Sequence, residues 1–243
     1  AGFAVSDEVA RYVFTGVLIE IKKNGQGYAV TSDGKQLAAC GFDAQPADDK
    51  NFRVVINQDA AELLASVCKK AEEGARIEIE VGLSNAGELV QVRFVGPGVK
   101  LWARIIDGTF PDWEAVVPPD KSYKHAGFEV EAKPLLEALD RISLAFVKDK
   151  EQVELKFSGT KLELHAQSEA CGQAKAEIPC KSKGAERSIR VNPLLLEDYL
   201  RSVPKTAKSV RVLVPAKSDS ATKWTWNSGK DVYVLMPISG GKK

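Results

Sequence analysis

Arg190 to Leu200 reads RVNPLLLEDYL, and this stretch sets the frame for the whole chain. Asn192 is a capping residue. Pro193 follows at the first helical position, where its missing N–H costs nothing. Leu196, Tyr199, Leu200 and Val203 then fall at helical spacing, which predicts a helix over Pro193–Val203. The strand-like run SVRVLV (Ser209–Val214) comes next. The same order occurs 135 residues earlier: Asn57 precedes a predicted helix, Gln58–Ala71, which is followed by the run RIEIEV (Arg76–Val81). Ala61, Leu64, Val67, Cys68 and Ala71 form the apolar stripe of that helix, and Cys68 reads as a small core residue. Two further landmarks keep nearly the same offset. The turn Asn24-Gly25 corresponds to Ser158-Gly159, and Ser32-Asp33 corresponds to Ser168-Glu169. Three landmarks at one offset argue for two copies of one fold.

Strand signals fill most of the remainder. Val13–Ile21 and Tyr28–Ser32 read as a hairpin around Asn24-Gly25. Leu89–Phe94 and Val99–Ile106 follow at hairpin spacing, and Val153–Phe157, Lys161–His165, Thr222–Trp226 and Val232–Met236 behave alike. A third helix is predicted over Lys133–Phe146, with Leu135, Leu139, Ile142 and Phe146 on one side. It precedes the first hairpin of the second copy, whereas the first copy has only Ala1–Ala10 in that place. Gly108–Pro119 (GTFPDWEAVVPP), with three prolines, is the junction. The expected fold is therefore α+β, two tandem domains at 1–118 and 119–243, each with antiparallel sheets and its helices on one face.

Composition narrows the function classes. The chain has 243 residues, is 44% hydrophobic and 28% charged, and carries a net charge of +1. No apolar run approaches the ~18 residues that span a bilayer, and no leader peptide is visible. A reducing, cytoplasmic setting is expected, because Cys40, Cys68, Cys171 and Cys180 form no CxxC pair. The only histidines are His125 and His165, without a nucleophile motif, phosphate loop or ligand cluster around them. No enzyme, cofactor or metal is expected on these grounds.

Five segments, in order along the chain, carry a resemblance. They are RYVFTGVLIE (Arg11–Glu20), AVTSDGKQL (Ala29–Leu37), GTFPDWEAVVP (Gly108–Pro118), RVNPLLLEDYL (Arg190–Leu200) and YVLMPI (Tyr233–Ile238). Together they resemble motifs of the middle and last domains of the bacterial DNA sliding clamp, the beta subunit of DNA polymerase III. The resemblance implies a ring of six domains formed by a head-to-tail dimer of three-domain protomers. Helices line the hole and strands form the outer wall. Duplex DNA passes through, and the polymerase, the clamp loader and other proteins with a clamp-binding motif dock in a hydrophobic groove.

The same resemblance assigns residues. The groove is expected to use Phe14, Ser32, Gly34, Lys35, Gln36, Leu37, Pro111, Ala115, Val116, Asn192, Leu195, Val234, Leu235, Met236, Pro237 and Ile238. Several positions depart from the family pattern. Lys35-Gln36 replaces a His-Arg pair, Ala115 stands where a basic residue is usual, and Leu195 stands where the family has an aromatic. The groove is thus expected to keep its apolar floor and lose much of its polar rim. For Val234, Leu235 and Met236 the plain reading is a buried strand, and burial must account for at least one of them. The DNA-facing set is Tyr12, Lys69, Lys70, Arg141, Lys148, Arg201 and Lys205, all on or near the predicted helices except Tyr12. Their plain reading is a solvated polar helix face, diluted by acidic neighbours. Weak, sequence-blind phosphate contacts suit a protein that slides. The alternative is a divergent clamp-like interaction module that does not encircle DNA. Without a partner domain the chain is expected to be monomeric and to hold duplex DNA poorly.

Overall fold

The computed structural model describes residues 2–6, 13–72, 74–87, 89–96, 98–119, 126–146, 151–168, 172–215, 220–226 and 230–238. His125, Cys171, Tyr12 and Lys148 lie outside them. The contacts divide the chain into two units. The first is Ala1–Gly34 with Ala38–Trp113, and the second is Glu114–Lys243 joined by the three residues Lys35–Leu37.

In the first unit a 3-10 turn, Gly2–Ala4, precedes β1 (Gly16–Ile21), β2 (Gln26–Ser32), β3 (Gln36–Asp43, its first two residues grouping with the second unit) and β4 (Phe52–Asn57). Helix α1 (Gln58–Lys70) follows, then β5 (Glu78–Leu83), β6 (Leu89–Gly96) and β7 (Val99–Arg104). The strands make two antiparallel sheets, ordered β3-β2-β1-β4 and β5-β6-β7. The hairpin between β1 and β2 turns at Gly25, whose φ of +84° is costly for any residue with a Cβ. Gly16 is required by proximity instead: a Cβ there would lie 2.6 Å from the Ile56 carbonyl oxygen. Val17, Ile19, Val54 and Ile56 from one sheet meet Val92, Phe94 and Ala103 from the other.

Asn57 caps α1 as its sequence foretells, its side-chain oxygen accepting from the Ala60 N–H at 3.0 Å. Ala60, Ala61 and Leu64 pack on the core, yet no residue of α1 is fully buried and Leu63 is 53% exposed. Cys68 is exposed, which corrects its assignment to the core. Among the described residues α1 has no second helix beside it, so the flank of its apolar stripe stays at the surface.

The second unit holds the last residues of α2 (Trp113–Val116), then β8 (Gly127–Glu131), α3 (Ala132–Ile142) with a 3-10 extension Ser143–Ala145, β9 (Val153–Ser158), β10 (Lys161–Ser168), β11 (Gly172–Pro179), β12 (Lys181–Lys183) and β13 (Arg187–Val191). Helix α4 (Pro193–Ser202), β14 (Ser209–Leu213), β15 (Thr222–Thr225) and β16 (Asp231–Leu235) complete it. Its sheets run β12-β8-β14-β15-β16 and β11-β10-β9-β13, antiparallel throughout the recorded pairings. Here two helices pack together and share the core. Leu135, Ala138, Leu139 and Ile142 of α3 and Leu196, Tyr199 and Leu200 of α4 are buried. Tyr199 lies flat on Tyr233, with ring centroids 4.3 Å apart, and Trp224 meets Tyr199 and Phe128 edge-on. The architecture is α+β with antiparallel sheets, as expected.

The connector at the end of the first unit is pinned by its tryptophan. The indole N–H of Trp113 donates to buried Glu20 at 2.8 Å, and Arg53 pairs with the same carboxylate at 3.4 Å. The Arg53 guanidinium also donates to the Phe110 carbonyl at 3.3 Å. The Trp113 ring packs on Tyr28, with the Lys22 ammonium over both rings. Glu20→Ala leaves a buried indole N–H without its acceptor and should cost about 1–3 kcal/mol, with Glu20→Gln nearer wild type. Urea unfolding followed by tryptophan fluorescence measures both.

Candidate peptide-docking surface and helical faces

In the second unit the expected groove residues converge on the end of β16. Val234 and Leu235 are core, at 1% and 0% exposure, whereas Met236 is 40% exposed and Pro237 and Ile238 are half-buried. Two backbone bonds hold this tail. The Met236 N–H donates to the Lys35 carbonyl at 3.0 Å, and the Ile238 N–H donates to the Arg190 carbonyl at 2.8 Å. The Tyr233 hydroxyl then joins three segments, lying 2.8 Å from the Gln36 side-chain amide and 3.1 Å from the Leu195 carbonyl oxygen. Asn192 caps α4, accepting from the N–H groups of Leu194 and Leu195 at 2.9 and 3.4 Å. This fixes where the first turn of α4 points. Lys35, Gln36, Leu37, Asn192, Leu195 and Tyr233–Ile238 are therefore neighbours within one unit.

Their roles differ. Gln36 and Leu37 are buried, so Gln36 is part of the floor and not a rim residue. Lys35 is exposed beside Met236. Leu194, 46% exposed on the first turn of α4, was missed in the sequence. Its signal was available, because the cap at Asn192 fixes the helix phase and puts Leu194 opposite the buried Leu196. Ala115 and Val116 are exposed on α2, Val116 at 47%. Phe14, Ser32, Gly34 and Pro111 belong to the first unit. There Phe14 packs edge-on against Phe110, centroids 5.6 Å apart, next to Pro111. The Ser32 hydroxyl accepts from the Gly34 N–H at 3.2 Å, closing the turn in which Gly34 has φ +86°.

Residues 1–112 match the family model described as the DNA polymerase III beta subunit, central domain, and residues 116–238 match the one described as its C-terminal domain. The chain belongs to the DNA polymerase III beta-subunit family. It is similar to the beta sliding clamp of Rickettsia bellii, 31% identical over 251 residues that take in 97% of this chain and 62% of the relative. A beta sliding clamp from Chlamydia pneumoniae is 28% identical, again over 97% of this chain and 60% of the relative. The solved structure of the Pseudomonas aeruginosa DNA polymerase III subunit beta shares the fold, with a TM-score of 0.84 at 24% identity over 98% of this chain and 62% of that one. The chain thus spans about three fifths of the length of these clamps.

Charge on the helices is closely balanced. Helix α1 carries Asp59 and Glu62 against Lys69 and Lys70, and α3 carries Glu137 and Asp140 against Lys133 and Arg141. On α4, Glu197 and Asp198 outnumber Arg201. Arg201 is moreover engaged by Asp140 at 3.3 Å and by Glu197 at 3.6 Å. Lys69, Lys70, Arg141 and Lys205 are exposed and make no ion pair among the described residues. No described helix is long and apolar enough to cross a membrane.

Burial, reinforced by neighbouring Asp140 and Asp198 and opposed by Arg201, holds the Glu197 carboxyl above its ordinary value. A raised carboxyl pKa favours the fold at low pH, and this advantage is lost as pH rises through the folded-state value. Glu197→Gln should therefore melt close to wild type near pH 4 and gain on it progressively up to pH 7. Thermal melts across that range provide the check.

Proposed function

We propose that this chain is the middle and last domains, 1–118 and 119–243, of a DNA polymerase processivity factor. In this reading the complete protein is a head-to-tail homodimer that encircles duplex DNA, sequence-blind and non-catalytic, in the cytoplasm. The chain by itself is monomeric. The replicative polymerase, the clamp loader and other clamp-binding-motif proteins dock on a hydrophobic peptide groove. Membership of the beta-subunit family supports this, and the observation that carries it in the coordinates is the tethered Met236–Ile238 tail. Exposed Met236 begins that tail, and the capped first turn of α4 in the same unit presents a second exposed apolar side chain, Leu194. A flexible thioether suits leucine or phenylalanine side chains of a short peptide. Burying two such side chains is worth roughly 3–6 kcal/mol before ordering costs, a grip weak enough for partners to take turns.

The exposed Lys69, Lys70, Arg141 and Lys205, with Arg201, Tyr12 and Lys148, supply the DNA-facing set in this reading. The charge balance of the helices favours a second reading, a clamp-like interaction module that does not encircle DNA. The two differ in salt response: a clamp-type lining gives weak duplex binding that falls steadily with salt, and an interaction module gives none. Sedimentation at micromolar concentration should show a monomer.

The docking test is titration of a labelled clamp-binding peptide against wild type and Met236→Ala. Truncating the methionine should weaken binding about fivefold to thirtyfold, since it removes about 1–2 kcal/mol of apolar contact. Equal binding by both proteins would remove Met236 from the site.

A further inference from the structure

The outer face of the β5-β6-β7 sheet has a composition that the docking groove does not explain. Trp102, on β7, is 55% exposed. Strand alternation places Lys100 and Arg104 on the same face as Trp102, while Leu101 and Ala103 turn inward to the core. The result is a row of cation, indole and cation along one strand. Neither Lys100 nor Arg104 makes an ion pair among the described residues. The next strand places Arg93 directly across from Trp102, and Arg93 is already paired with Glu80 on β5. Positive charge is therefore concentrated on β7, with the acidic residues Glu78 and Glu80 two strands away.

Arg104 faces Gln91, which in turn faces Gly82. The Gln91 side chain lies across that glycine, its Cγ 2.6 Å from where a Cβ would stand. A cavity of about 280 Å³ in the first unit is lined by Arg53, Leu89, Asp107 and Phe110 among others and by none of Lys100, Trp102 and Arg104. A peptide draws most of its affinity from side chains seated in pockets. A base needs only an open aromatic face to stack on and cations to hold its phosphates.

We infer that this face binds single-stranded DNA, one base stacking on Trp102 and the adjoining phosphates resting against Lys100 and Arg104. The site is separate from the groove at Met236 and does not depend on it.

The experiment uses the whole chain and an oligothymidylate of about twenty nucleotides, long enough for several registers on one aromatic platform. Binding is read by fluorescence anisotropy at low salt, with circular dichroism confirming that each variant is folded. Trp102→Ala should weaken binding at least fivefold, in keeping with the loss of one stacked base, while Trp102→Phe keeps part of it. Lys100→Ala and Arg104→Ala should each lower the salt slope by about 0.7. Wild-type affinity in Trp102→Ala would overturn the proposal. So would equally tight, Trp102-dependent binding of a poly-glutamate peptide, which would mark the face as a site for acidic proteins. Unchanged salt slopes would leave the two cations as guards against strand-edge pairing and would also overturn it.

Discussion

The hydroxyl of Tyr233 sits where three separate stretches of the second unit meet. Its ring is almost wholly buried and stacked on Tyr199, so the oxygen has no route to solvent and must find partners inside. The Leu195 carbonyl can only accept. The Tyr233 hydroxyl meets two acceptors, the Gln36 side-chain oxygen at 2.8 Å and the Leu195 carbonyl at 3.1 Å, and its one proton is directed between them. One buried phenol thereby ties β16 to the first turn of α4 and to Lys35–Leu37. The surface above it, with Met236, Leu194 and Lys35, inherits its shape from that tie. Neighbouring buried polar groups follow the same rule: Trp224 donates to the Thr222 hydroxyl, which donates to the Leu235 carbonyl.

The two copies solve one packing problem with different amounts of material. In both, an asparagine cap launches a helix from the end of a strand, and a glycine in the left-handed region turns the first hairpin. In the second copy α3 and α4 lie side by side, and their apolar stripes close over the sheets. In the first, among the described residues, α1 is helped only by the short turn Gly2–Ala4 and Val5, and Leu63, Val81 and Leu83 remain exposed. The difference explains why one apolar stripe predicts burial correctly at Leu139 and incorrectly at Cys68. Periodicity identifies a face, but whether that face is covered depends on what stands beside it.

Much of the fold was legible because its signals are local. Caps at Asn57 and Asn192, the glycine turns and the alternating strands needed only a few residues each. Strands such as Gln36–Asp43, Phe52–Asn57, Gly172–Pro179 and Arg187–Val191 were not marked, since they are short or carry mixed patterns whose meaning depends on partners far along the chain. The candidate site was legible only through resemblance. Gln36 and Tyr233 are 197 positions apart, and no spacing rule brings them together. Leu194 is not a position the family motif marks, although the cap at Asn192 fixes the helix phase that exposes it. The sequence also could not separate Val234 and Leu235 from Met236, which burial divides cleanly.

The thin covering of the first copy also bears on motion. Backbone hydrogen bonds of a helix break most easily where few side chains must be lifted out of a core to free them. Helix α3 has five buried residues along its length and α1 has none. The amides of α1 should therefore exchange with solvent through small local openings, whereas those of α3 wait for a much larger part of the second unit to open. The same fold, written twice in one chain, carries a soft copy and a firm one.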